Sequence, residues 1–257
     1  MRPSPGRLCR GARTVPRGAA GTEPTQQALL ELMRDSKLSD EDRNAAGLAL
    51  IRNKHPAVSS AHALEGMLDD ARWAQYAVLG LGTFARLFGE ARLVEERERI
   101  GKLLVARLAA VRSATDRSDV FSGLSNSGYA GMLPAVRPYL DDADETNRVA
   151  AVEAIRLVHD PEVERIAIRK LSDDAGAVRM AALLVAGNLE PTPPLVQAVS
   201  KSVLHDQNSD VRQQSLRLLV TWSEHAPELR ATIKKVAESN SSEPIRGAAQ
   251  LALRAPP

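Results

Sequence analysis

The side chains from which a catalytic site would be built are all present in this chain, so their spacing decides what they can do. Gly123-Leu124-Ser125-Asn126-Ser127 falls one residue short of a nucleophile elbow, because Ser127 stands where a second glycine is needed. That motif also requires a strand leading into the serine, and no strand is predicted here. Gly128 is expected instead to end a helix in the left-handed conformation that glycine adopts cheaply. The histidines are His55, His62, His159, His205 and His225; none stands four residues from another and no His-Glu-x-x-His occurs. A zinc centre needs three convergent ligands, and this spacing provides no such cluster. His159-Asp160-Pro161 and His205-Asp206 are placed at helix ends, where a cation suits the carbonyl-rich terminus and an acid caps the next helix. The pairs Asp69-Asp70, Asp141-Asp142 and Asp173-Asp174 could share acid and base roles only if burial separated their pKa values. They fall in predicted turns, where capping is the expected use. Glu95-Glu96-Arg97-Glu98-Arg99 reads as a solvated helix face with pairs at i,i+3 and i,i+4. No glycine-rich phosphate loop occurs. No catalytic residue, cofactor or metal is assigned, and the chain is read as a non-enzyme.

The arginines carry more information, because they recur. Asn147-Arg148-x-x-Ala151, Val178-Arg179-x-x-Ala182, Val211-Arg212-x-x-Ser215 and Ile245-Arg246-x-x-Ala249 share one pattern, with the arginines 31, 33 and 34 residues apart. Upstream, Asp42-Arg43-x-x-Ala46 fits, and Ala71-Arg72 and Asp116-Arg117 fit more loosely. Arg148, Arg179, Arg212 and Arg246 could present a row of cations to an acidic ligand. Alternatively, each could bond an acid or a helix-end carbonyl of its own or the adjacent repeat, forming a structural ladder. Asp144, Asp174 and Asp210 lie shortly before three of them, which favours the ladder. Asp210 is also expected to cap the helix that opens at Val211.

Such anchors need helices to carry them. Aromatic residues make up only 3% of the chain, while Ala, Leu and Val recur throughout, a balance that favours helix over sheet. Gln27-Ala28-Leu29-Leu30-Glu31-Leu32-Met33 has the three-and-four spacing of an amphipathic helix, and helical segments follow to Arg254. Second helices are predicted over Val163–Leu171, Leu195–Leu204 and Pro227–Glu238. A lone helix pair cannot bury its apolar face, so successive pairs must stack. The expected fold is all-α, an α-α superhelix of the HEAT-like solenoid type, over residues 24–254.

Residues 1–23, rich in Pro, Gly and Arg, read as a disordered basic tail, or as a misassigned start of translation. Five arginines and no acid occur in residues 1–22, against a net charge of +2 for the whole chain, which leaves about −3 for the remainder. A mildly acidic body poor in aromatics argues against nucleic acid as a partner. Cys9 is the single cysteine, so neither an internal disulfide nor a thiolate metal cage is expected. The basic start has no apolar stretch behind it and no run is long enough to span a membrane. As written, the chain reads as cytoplasmic, unless the start is misassigned or the chain is a fragment.

A more specific resemblance covers roughly residues 60–240. Ala77-Val78-Leu79-Gly80-Leu81-Gly82-Thr83-Phe84 precedes a long helical stretch over 92–112. Phe121 to Gly128, Leu133-Pro134 and Pro138-Tyr139-Leu140 follow in order, then Arg148 to Arg156 and Val178 to Ala182. This series resembles the helical domain of the large lipid transfer proteins, the vitellogenin and microsomal triglyceride transfer family. Residues 123–128 are similar to that family's Leu-Gly-Asn-Ala-Gly helix end. The resemblance implies a two-layered helical horseshoe that braces a lipid cavity and offers a protein-docking surface. The sequence departs from the family in lacking the flanking β-sheets that build the cavity, and the cysteines animal members carry near the stretch matching 84–90.

Helices that open with an apolar residue and Arg usually line the concave side of such a stack. Aligned, they place Val149, Met180, Gln213 and Gly247 at one position, and Glu153, Leu184, Arg217 and Leu251 one turn further on. Val149, Glu153, Met180, Leu184, Gln213 and Arg217 are therefore the expected partner-binding strip, with Met180 and Leu184 as its adaptable apolar part. The alternative is that neighbouring helices cover it. Three readings follow: a scaffold that binds a protein partner, the helical part of a lipid-transport protein, and a lyase of the HEAT-containing type. The last has no catalytic constellation behind it, and the scaffold is preferred.

Overall fold

The computed structural model describes residues 21–239 and 242–254, so most of the expected basic tail lies outside the described residues. Among them no strand occurs. The chain runs through α1 (Glu23–Arg34), α2 (Asp40–Ile51), α3 (Val58–Glu65), α4 (Ala74–Glu90), α5 (Val94–Ala110), α6 (Ala114–Ser127) and α7 (Leu133–Leu140). It continues through α8 (Glu145–Ala154), α9 (Pro161–Lys170), α10 (Gly176–Ala186), α11 (Pro193–His205), α12 (Ser209–Ser223), α13 (Arg230–Ser239) and α14 (Glu243–Arg254). The fold is an α-α solenoid. The expected helix over Pro227–Glu238 divides into a 3-10 turn, Pro227–Leu229, and α13.

Consecutive helices alternate between two layers. The even-numbered helices from α2 to α12 touch their neighbours in the stack along much of their length, whereas the odd-numbered ones meet more briefly. A two-layered stack bends toward the layer whose members lie closer, so the even helices form the concave face. Where the outer layer opens, between α9 and α11, a groove of about 770 Å³ remains.

The repeated small residues explain the close spacing. Ala151, Ala182, Ser215 and Ala249, each three beyond a repeat arginine, are fully buried. One turn earlier in α10, α12 and α14, the buried Val178, Val211 and Ile245 point into the core shared by the two layers. Helix starts are set by short polar caps: Ser39, Ser113, Asp144, Asp160, Thr192 and Asn208 each accept a backbone N–H with their side chains. Asn208, not Asp210, caps α12, because the helix begins a residue before Asp210 and draws that acid into its first turn.

The tightest approach lies between α4 and α6. A side chain at Gly82 would run into the carbonyl of Gly123, and one at Gly123 would lie 2.8 Å from the carbonyl oxygen of Val78. Only two glycines facing each other let these backbones touch. Gly82→Ala is therefore expected to destabilise the protein by about 3 kcal/mol or more, the upper end for overpacking, because backbone cannot step aside. Gly247→Ala is the converse. A Cβ there meets nothing within 4 Å, so removing glycine from the interior of α14 should stabilise by about 0.5–1 kcal/mol. Urea melts of the two variants check both signs.

Candidate functional site

The turns between layers hold the repeat arginines. Arg179 donates from Nη1 to the carbonyl oxygens of Asp173 (2.8 Å) and Asp174 (3.0 Å), six and five residues before it. Its Nε and Nη2 donate to both carboxylate oxygens of Asp206, each at 2.7 Å, in the following turn. Arg148 repeats the arrangement: Nη1 reaches the carbonyls of Asp142 (2.9 Å) and Ala143 (3.1 Å), and the other two nitrogens take the carboxylate of Asp173. Arg212 keeps the local half, to the carbonyls of Asp206 and Gln207. The position that would answer its fork, residue 240, lies outside the described residues, and its buried Nε has no partner among them. Arg246 donates its backbone N–H to the Ser242 carbonyl at 3.0 Å, at the start of α14.

The acids in these pairs are not those the spacing suggested. Asp144 caps α8 through Thr146 N–H, Asp174 offers only its carbonyl, and Asp210 takes no arginine. The carboxylates come from Asp173 and Asp206, one repeat later in the chain. Asp42–Arg43, Ala71–Arg72 and Asp116–Arg117 do not repeat the pattern. Arg43 and Arg72 instead flank the Trp73 ring at 5.5 and 5.0 Å and share Asp40, while Arg117 lies over Tyr139 at 5.7 Å.

Lys170, missed by sequence reasoning, joins the relay. It is buried, with Nζ 2.9 Å from Asp141 and 3.1 Å from Asp173. Its signal was there to read: it continues the apolar series Val163, Ile166, Ala167 on α9, and a lysine in that series needs a carboxylate to be buried at all. Burial pushes the Asp173 carboxyl up, but the Ala175 N–H, Arg148 and Lys170 outweigh it and hold it below the usual carboxylate range. In Asp206 burial is likewise outweighed, by Arg179 and the Asn208 N–H.

The other constellations resolve into structure. Gly128 ends α6 at φ 56°. Ser125 Oγ donates to the Glu153 carbonyl and accepts from Arg156 Nε, and Ser127 Oγ donates to Leu124 and accepts from Tyr129 N–H. The 95–99 run is less solvated than expected. Arg99 pairs with Glu96 at i,i+3, as expected, and also with Glu65 of α3, and Arg97 reaches the Gly128 carbonyl at 2.8 Å. Among the described residues, no group of three His, Cys, Asp or Glu side chains could hold a metal ion.

On the concave face, a groove of about 360 Å³ crosses α4, α6, α8 and α10. Of the expected strip it brings together Glu153 and Leu184, with Leu79, Phe121, Ala150 and Arg156. Leu184 is 44% exposed, large for a leucine. Met180 and Val149 are half-buried against the core, so neighbouring helices partly cover them. Gln213 and Arg217 are exposed further along, on α12, outside this groove. Leu79, Ser122 and Arg156 belong to it and were not singled out, because only the crossing of α4 over α6 brings them beside α8.

The comparisons with known proteins agree with this fold. The family model described as the vitellogenin TPR domain matches residues 18–216. The chain belongs to that family. No match was found among curated protein sequences. The complex of CpcE and CpcF of phycocyanin lyase from Nostoc sp. PCC7120 is similar at 15% identity, with a TM-score of 0.55 over 98% of each chain. The archaeal HEAT-like repeats protein from Thermococcus onnurineus NA1 is similar at 11% identity, with a TM-score of 0.50 over 89% of this chain and 95% of that one. At such identities the likeness is one of fold.

Arg179→Ala should lower stability by about 1–3 kcal/mol, the loss expected when charge-assisted bonds are broken, and by more than Arg212→Ala, which has no carboxylate partner among the described residues. Urea midpoints of the two variants check the order. The depressed carboxyls set a pH dependence. Their stabilisation is complete above about pH 4, the unfolded aspartate range, and is lost as pH falls through the lower folded values. Asp206→Asn should therefore be less stable at neutral pH and lose less than the parent on acidification, read from melting temperatures across that range.

Proposed function

We propose that this solenoid is a non-catalytic scaffold that binds a protein partner on its concave face, at the groove holding Glu153 and Leu184. The observation carrying this reading is Leu184, an exposed leucine that shares a groove with Leu79, Phe121 and Ala150 and with the charged Glu153 and Arg156. A surface that joins an apolar anchor to flanking charge suits a polypeptide segment, which offers both. Val149 and Met180 are half-buried against the core beside it, and Gln213 and Arg217 extend the same face beyond it. The Nostoc relative is described as a complex of two chains, and solenoids expose extended concave surfaces suited to such contacts. The Nostoc complex is that of a lyase, but at 15% identity the likeness extends to the fold alone, and Ser125 and Ser127 of this chain are committed to hydrogen bonds.

Family membership favours a second reading, in which the chain is the helical component of a lipid-transport protein. The described residues contain no strand to wall a lipid cavity, so that function would draw its sheets from elsewhere. No helix among the described residues is long and apolar enough to cross a membrane.

A photo-crosslinking residue at position 184 separates these readings. In the host cell it should capture a discrete protein, and the same residue at Arg165 on the outer layer should not. Leu184→Ser should then reduce capture from a crosslinker at Gln213 while leaving the helical signal unchanged. Mass spectrometry of the purified protein supplies the other arm: a stoichiometric lipid with no crosslinked protein would overturn the scaffold reading in favour of lipid transport.

A further inference from the structure

A second cleft, of about 640 Å³, opens at the edge of the concave face where α4, α6 and α8 end. Arg86, Arg97 and Arg156 line it, with Glu90 as its acid. Arg86 is paired with Glu90 at 2.5 Å, one turn away. The other two are held by neutral groups. Arg97 Nη2 donates to the carbonyl oxygen of Gly128 at 2.8 Å, and Arg156 donates from Nε to Ser125 Oγ at 2.6 Å and from Nη2 to Asn126 Oδ1 at 3.0 Å. Among the described residues neither has a carboxylate within ion-pair distance, in contrast with Arg148 and Arg179.

Two guanidiniums are thus fixed on the last turn of α6, their charges unanswered and part of their donor set unused. Ordering two long side chains costs conformational entropy, which here has been met in advance by neutral acceptors. Even allowing about half a negative charge for each helix end that opens here, the cleft remains positive, on a body that is otherwise mildly acidic. Guanidinium forks match the paired oxygens of carboxylates and phosphates.

We infer that this cleft is an oxyanion-binding site in which Arg97 and Arg156 together hold one carboxylate or phosphate group. Arg97 supplies charge from the α5 side and Arg156 from the α8 side, while Glu90 weakens the site by occupying Arg86. Arg156 also edges the partner-binding groove, but the inference does not rest on that reading, since an anion can be held with the groove empty.

The test follows the arginine Nε–H NMR signals and melting temperature at constant ionic strength, with two probes. One is inorganic phosphate replacing chloride; the other is a short peptide with two adjacent glutamates, compared with its glutamine counterpart. Saturable shifts of the Arg97 and Arg156 signals are expected with at least one probe. Saturation by phosphate alone assigns a free phosphate-type anion, and saturation by the glutamate peptide but not its counterpart assigns a carboxylate on a docked chain. Arg156→Gln and Arg97→Gln should each weaken binding about tenfold, the effect of losing one charge-assisted contact, while Arg165→Gln leaves it unchanged. Glu90→Gln should tighten binding severalfold, an outcome that misfolding cannot imitate and that decides the matter if an arginine variant unfolds. Absence of saturable shifts with both probes, equal weakening by Arg165→Gln, or no gain from Glu90→Gln would overturn the assignment.

Discussion

In the C-terminal half of the solenoid, one aspartate per turn serves two arginines at once. Asp173 gives its carbonyl to Arg179 and its carboxylate to Arg148; Asp206 gives its carbonyl to Arg212 and its carboxylate to Arg179. Each arginine thereby ties its own turn to the next, and the spacing between repeats is set by a fork with fixed geometry. The apolar contacts between even helices supply most of the burial, but they are non-directional. The relay adds direction, fixing how far each helix pair may slide or rotate against its neighbour. Lys170 draws the adjacent turn's Asp141 into the same network.

The N-terminal half is held by other means. Gly82 and Gly123 bring α4 and α6 into backbone contact, Trp73 packs against two arginines, and Phe84 stacks edge-on against Phe88. Packing here depends on shape, where the later repeats depend on a polar fork. The concave groove and the cationic cleft both sit where these two regimes meet, around α6 and α8.

Arginine is used in two ways across this boundary, and its partner decides which. Where an aspartate completes the fork, as at Arg148 and Arg179, the cation is neutralised and its donors are largely spent, so it serves the fold. Where neutral oxygens position it, as at Arg97 and Arg156, the charge remains available to a ligand. The same reasoning places Ser125 and Ser127: their hydroxyls are committed to a carbonyl, a guanidinium and a helix end, so neither is free to act as a nucleophile.

By itself the sequence determined the all-helical character, the stacking of helix pairs and the register of the anchors Arg148, Arg179 and Arg212. These depend on local spacing: apolar residues at three and four, a polar cap, a small residue at a fixed offset. It also placed Gly128 at a helix end, because left-handed backbone favours glycine wherever it occurs. Tertiary structure decided the rest. Which aspartate meets which arginine could not be read from proximity in sequence, since Asp206 lies 27 residues after Arg179 and reaches it only across a repeat. The groove shared by Leu79, Glu153 and Leu184, and the cleft shared by Arg97 and Arg156, exist because α4, α6 and α8 cross at a particular angle. Crossing angles come from side-chain packing across helices, and the periodicity of a single helix carries no record of them.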